Sequence, residues 1–212
     1  MPDNPPARSV KISADERTGW SSERPRREGA APPPADLTVS CRVLPPTDRM
    51  RYSPGSLVLI VGATAAERDA FAERAVEERG AVISPARVRS LLQGRVAADE
   101  LDVRAAELLA AAVLKRLQAG QSVVVPVDGL DPAAREVHVR AAYGLRRPRH
   151  LILLDAGRDQ ALEGDRAALD ELRRALDAGE LGREGIQTAL RLGGHARAEL
   201  KRIVFARPPA DR

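Results

Sequence analysis

LVLIVGATAAERDAFAERAV, residues 57–76, is the stretch on which the fold turns. Leu57, Val58, Leu59, Ile60 and Val61 run unbroken to Gly62, and a helical pattern begins a few residues later. Strand, glycine turn and helix in that order form the layout in which backbone amides and a helix N-terminus cradle phosphate. A working phosphate loop spells G-x-x-x-x-G-K-[ST], whereas the last three places here hold Glu67, Arg68 and Asp69.

Each replacement carries a physical consequence. Glu67 stands where a second glycine would let the backbone approach the ligand, and it brings a carboxylate to meet arriving phosphate charge. One such like-charge pair at ~4 Å and an effective dielectric of ~20 costs about 4 kcal/mol, enough to erase most of a micromolar site. Arg68 keeps a cation at the lysine place, but as a planar fork. Asp69 replaces the metal-binding hydroxyl and adds a second carboxylate. The same residues also have a reading without a ligand. Thr64 with Glu67 spells a capping box, and acidic residues in a first turn suit the helix dipole.

Outward from this unit, apolar runs at Ala81 to Ile83, Ser122 to Val127, His150 to Asp155 and Arg202 to Phe205 read as further strands. Helical spacing occupies Ala65 to Arg79, Pro85 to Leu92, Leu101 to Ala119, Pro132 to Tyr143 and Gln160 to Asp177. Ser84-Pro85 and Asp131-Pro132 are helix starts, with a capping oxygen before a proline that needs no N–H. Strands alternating with helices imply a parallel sheet covered on both faces. The expected fold is therefore a three-layer α/β sandwich on a five-stranded, mainly parallel sheet. LTVSCRVL from Leu37 alternates as an edge strand and, with its linker, fills 37–55; the main domain is expected over 56–206. Residues 1–36, rich in Pro and Arg, are expected to form a disordered tail, and 207–212 a short C-terminal one. The stretch from Asp170 to Phe205 reads as two helical patterns around glycine breaks before a final strand.

Composition narrows the classes further. Lys+Arg total 34 against 30 Asp+Glu, a net charge of +4, with Lys at positions 11, 115 and 201 and arginine elsewhere. Mixed charge of this kind describes a solvated surface before it describes a nucleic-acid face. Cys41 is the single cysteine, which excludes an intrachain disulfide and a cysteine-rich metal site. His138, His150 and His195 lack metal-ligand spacing and are expected on the surface or in packing. No apolar run approaches the ~18 residues of a membrane span, so a cytoplasmic protein with no membrane partner is expected. Asp128 and Asp155 each end an apolar strand, where an aspartate can hold Mg2+ through water or serve a turn.

From Leu57 to about Asp155 the chain resembles the P-loop kinases of the polynucleotide-kinase and zeta-toxin type, commonly labelled AAA-family ATPases in bacteria. The likeness lies in Gly62 and its following helix, in SPARVR at 84–89, and in QSVVVPVDGLDPAAR at 121–135. Family members carry S-x-D-x-x-R after the second strand, its Asp a general base and its Arg a phosphate ligand. The resemblance puts Ala86 in the place of the base and Arg89 in that of the arginine. The following strand commonly ends V-D-x-T-[NG]-L-x-P; here Pro126 takes the Asp place and Asp128 the Thr place, with Gly129, Leu130 and Pro132 kept. The lid corresponds to ALEGDRAALDELRR from Ala161, which contains Arg166, and no lid arginine is assigned.

With base, metal hydroxyl and second glycine all replaced, the resemblance implies a fold kept without its reaction, a degenerate Walker A pseudoenzyme acting as a binding or regulatory protein. No catalytic residue and no metal ligand is assigned. Gly62, Thr64, Glu67, Arg68, Asp69, Arg89 and Asp128 are the candidate remnants of a nucleotide site, with ATP and Mg2+ as the ligands if the loop still binds. A protein partner is expected. Two alternatives stay open: an ATP-dependent phosphotransferase or ATPase using Arg68 with Asp69 or Asp128, and a nucleic-acid binder using Arg140, Arg146, Arg147 and Arg149.

Overall fold

The computed structural model describes residues 36–155 and 163–207. The expected N-terminal tail up to Ala35, most of the expected C-terminal tail and the start of the lid region lie outside the described residues. In chain order the elements are β1 (Arg42–Leu44), β2 (Arg49–Tyr52), β3 (Leu57–Gly62), α1 (Ala65–Ala75), α2 (Pro85–Leu92), α3 (Leu101–Gln118), β4 (Val123–Pro126), α4 (Pro132–Gly144), β5 (Arg149–Asp155), α5 (Arg166–Asp177), β6 (Thr188–Gly193), α6 (Ala196–Glu199) and β7 (Arg202–Phe205).

The main sheet runs β1-β6-β5-β3-β4 with every pair parallel. Because β3 lies between β4 and β5, all six of its residues are buried, which is why its sequence shows no alternation. Its side chains nevertheless divide by parity. Leu57, Leu59 and Val61 join Val125, Leu151 and Leu153 beneath α3, α4 and α5. Val58 and Ile60 join Val124, Ile152 and Leu154 beneath Phe71, Ala72 and Ala75 of α1. Two apolar layers thus clamp one sheet, in the three-layer α/β arrangement that the sequence led us to expect.

The strand inventory corrects the sequence reading in four places. Ala81 to Ile83 contributes one bridge, Val82 to Val124, plus the Ile83 N–H to Val124 carbonyl bond at 2.9 Å, because Arg79–Ala81 winds into a 3-10 turn. Arg202–Phe205 is a strand, but it pairs with β2 in a separate two-stranded parallel sheet. The place it was expected to fill belongs to β6, which lies within the stretch read as helical. The edge strand is also shorter than LTVSCRVL predicts, since Val39 N–H is taken by the Gly182 carbonyl at 2.9 Å and pairing with β6 starts at Arg42.

This topology fixes where a site can form. The chain leaves β3, returns as β4 on one side, and later as β5 on the other. The crevice at the carboxyl end of β3 is therefore the switch point at which open parallel sheets collect ligands. Gly62, Asp128 and Asp155 all lie at that edge.

Candidate functional site

Only two residues, Ala63 and Thr64, separate the end of β3 from the first residue of α1. Thr64 is extended, with φ −123° and ψ 145°, and its hydroxyl accepts the Glu67 N–H at 3.3 Å while its carbonyl accepts the Arg68 N–H at 3.2 Å. Two of the amides that a phosphate cradle would aim at a ligand, those of Glu67 and Arg68, are thus bonded to Thr64. Glu67 does not complete a capping box; its carboxylate turns outward to Arg197 of α6.

Arg68 takes a course that its place in the motif does not reveal. Its side chain is 4% exposed, and it folds back beneath the turn so that Nη1 donates to the Gly62 carbonyl at 2.6 Å. Nη2 donates to Asp128 Oδ1 at 3.0 Å. Burial pushes the guanidinium down from the usual arginine range, while Asp128 and Asp69 act to restore its charge. Asp128 accepts a second arginine on Oδ2, from Arg89 Nη2 at 3.2 Å, and Arg89 Nε in turn holds Asp102 at 2.8 Å. The Asp102 hydrogen bond, then that of Asp128, holds the Arg89 guanidinium above its usual range. Arg68, Asp128, Arg89 and Asp102 therefore form one alternating chain of charge from the end of β3 across to α3.

Gly62, Arg68, Arg89 and Asp128 are brought together, while Thr64 and Glu67 serve the start of α1 and its contact with α6. Asp69 faces the same corner, a space of about 20 Å3 lined by Ala65, Arg68, Asp69, Pro85, Ala86, Arg89, Pro126 and Asp128. That volume suits about one water molecule. Ala86 and Pro126, which stand where the resemblance expects aspartates, line it with carbon. Among the described residues no group of three His, Cys, Asp or Glu side chains could hold a metal ion.

Sequence reasoning noted Asp155 but missed its partners. At the end of β5 it accepts Arg191 Nε of β6 on Oδ2 at 2.7 Å and Arg173 of α5 on Oδ1 at 2.7 Å. Arg191 also reaches Asp177 at 3.0 Å. Separations of 18 and 36 residues leave no local signal for either pair. His138 of α4, read from the sequence as a surface or packing residue, is in packing: it is 4% exposed, and burial pushes its imidazole down to about 4.

No protein family model and no curated protein matches the chain. Among solved structures it is similar to the Deinococcus radiodurans tunicamycin resistance protein, at 16% identity over 68% of this chain and 91% of that one, with a TM-score of 0.39. It is also similar to APE1195, at 18% identity over 66% of this chain and 86% of that one, with a TM-score of 0.41.

Proposed function

We propose that the chain is a kinase-like P-loop domain that binds a partner or ligand and does not transfer phosphate. The observation that carries this reading is the engagement of Arg68: the cation at the lysine place is spent on the Gly62 carbonyl and Asp128. To meet a phosphate it would have to leave a buried hydrogen bond and a carboxylate, while the Glu67 amide gave up the Thr64 hydroxyl. Asp69 and Asp128 add negative charge at the same corner. A phosphotransferase built on these residues would need all of these bonds broken in its working state, so the binding role is the simpler account.

Incubation with γ-labelled ATP, Mg2+ and a mixture of hydroxyl acceptors tests it. No label transfer above buffer is expected. Transfer that Arg68→Ala abolishes would overturn the reading, because it would make Arg68 a phosphate ligand.

A further inference from the structure

The two-stranded sheet turns a basic face to solvent. Burial alternates along β2, with Met50 and Tyr52 inside and Arg49 and Arg51 exposed. β7 runs beside it in register: Met50 pairs with Ile203 and Tyr52 with Phe205 on the core side, while Arg49 stands directly opposite the exposed Arg202 on the outer side. A rise of ~3.3 Å per residue sets Arg49 and Arg51 about 6.6 Å apart, and a strand spacing of ~4.8 Å sets Arg202 beside Arg49. Lys201, also exposed, leads into β7.

These cations lack an answering charge within the fold. Among the described residues the side chains of Arg49, Arg51 and Lys201 make no hydrogen bond or ion pair, and Arg202 has Glu77 alone, at 3.9 Å. Like charges directly opposite on neighbouring strands repel, so the Arg49–Arg202 pair gains when an anion lies against it. Three of the four arginines that the sequence offered for nucleic acid are committed instead. Arg140 pairs with Glu136 at 2.6 Å, Arg147 donates to the Leu117 carbonyl at 3.1 Å, and Arg149 is buried on the Gly185 carbonyl at 2.7 Å. The nature of the outer face narrows the partner. None of the large apolar side chains exposed among the described residues belongs to β2 or β7. A protein interface builds an apolar core and a membrane-bound segment buries an apolar face, so this surface suits neither. Tyr52 and Phe205 pack inward, which leaves no ring on which an unpaired base could stack. A polyanion with its bases already paired fits what remains.

We propose that the outer face of the β2–β7 sheet is a docking surface for the phosphate backbone of duplex nucleic acid, with Arg49, Arg51 and Arg202 as its phosphate ligands and no base read. A guanidinium forks onto phosphate through two N–H donors, and such contacts position a protein on a duplex without specifying sequence. This gives the partner class for the binding role proposed above and rests on that reading. The face belongs to a sheet separate from β3 and its turn, so it works whether or not the cradle opens.

Fluorescence anisotropy of a short labelled DNA duplex, titrated with the full chain at several salt concentrations, tests the face. Saturable binding is expected, with log K falling linearly against log salt. Arg49→Gln, Arg51→Gln and Arg202→Gln together should lower that slope by about 2.7, at ~0.9 per lost contact, and weaken binding by about tenfold or more at low salt. Arg51 has no partner to lose among the described residues, so Arg51→Gln alone should keep the wild-type Tm and lower the slope by about 0.9. Arg140→Gln with Arg146→Gln should bind as the wild type does. No binding by the wild type at low salt, or an unchanged slope in the triple variant, overturns the face. Displacement of the duplex by polyglutamate as readily as by unlabelled duplex, or tighter binding to phosphatidylserine vesicles, overturns the assignment to nucleic acid. In a separate arm γ-labelled ATP is added to the same duplex. Label on the DNA would overturn the absence of phosphate transfer and not the docking face, so the two failures are read apart.

Discussion

Arg68 shows how a cation beside a strand-to-helix turn can be committed inside the protein. In a phosphate loop the cation faces outward to the ligand, whereas here it faces inward and is bonded to main chain and to Asp128. Arg68→Met keeps length and loses the fork, leaving the Gly62 carbonyl without its charged donor. Asp128 is half exposed and keeps Arg89, so its share of the loss is small. The variant should lose about 1–3 kcal/mol, read as a lower urea midpoint with unchanged slope. Replacing Gly182 by alanine should cost more than that. A Cβ there would sit 2.0 Å from the Val39 carbonyl oxygen, so the strand-entry segment or the turn must move, and Gly182→Ala should melt several degrees lower.

At the scale of elements, caps and ion pairs decide how helices meet the sheet. Thr64→Ala removes the cap of α1 and should cost about 1 kcal/mol by denaturant titration. Arg135 is held more tightly: it is 1% exposed, forked onto Glu184 at 2.8 Å twice, and bonded to the Leu130 carbonyl at 2.7 Å. Glu184→Ala leaves that guanidinium buried and unpaired, and the expected loss is about 3–5 kcal/mol. The elements also separate what the sequence made legible from what it hid. β3, α1, β4, α4 and β5 were readable because each couples an unbroken apolar run or a cap spelling to its neighbour. β6 was not, because Arg191 interrupts its apolar run and the flanking Gly-Gly pair resembles a helix break. The reason for Arg191 lies on β5, in Asp155. β7 was readable as a strand but not as to its sheet, since β2, with two arginines in four residues, gives no sign of being its partner. In the candidate site, the cap of Thr64 was legible locally; the Arg68–Asp128 pair spans 60 residues, so it was not.

For the molecule as a whole, two buried histidines set an acid limit. Burial pushes His138 and His150 down to about 4, aided for His150 by the adjacent Arg149. In the unfolded chain both protonate near 6.5, so between those values the unfolded state holds more protons. Their contribution to stability is complete above pH 6.5 and is lost as pH falls toward 4, up to about 3 kcal/mol for each. Tm should therefore decline steadily from pH 7 to pH 4.5. His150 is the better satisfied of the two, bonded to Thr188 at 2.8 Å and Ser56 at 3.3 Å and stacked on Tyr52. On the same scale, the carboxyl edge of the sheet is closed on both sides of β3, by Arg68, Asp128 and Arg89 toward β4 and by Asp155, Arg173 and Arg191 toward β6. Open parallel sheets collect ligands at that edge, and here internal ion pairs occupy it. The most direct measurement is a titration of Mg-ATP to millimolar concentration followed through the backbone amide resonances of Gly62 to Asp69. The account predicts that these amides stay where they are, Arg68 N–H and Glu67 N–H included. A saturable shift centred on them would show main chain closing around phosphate and would contradict it.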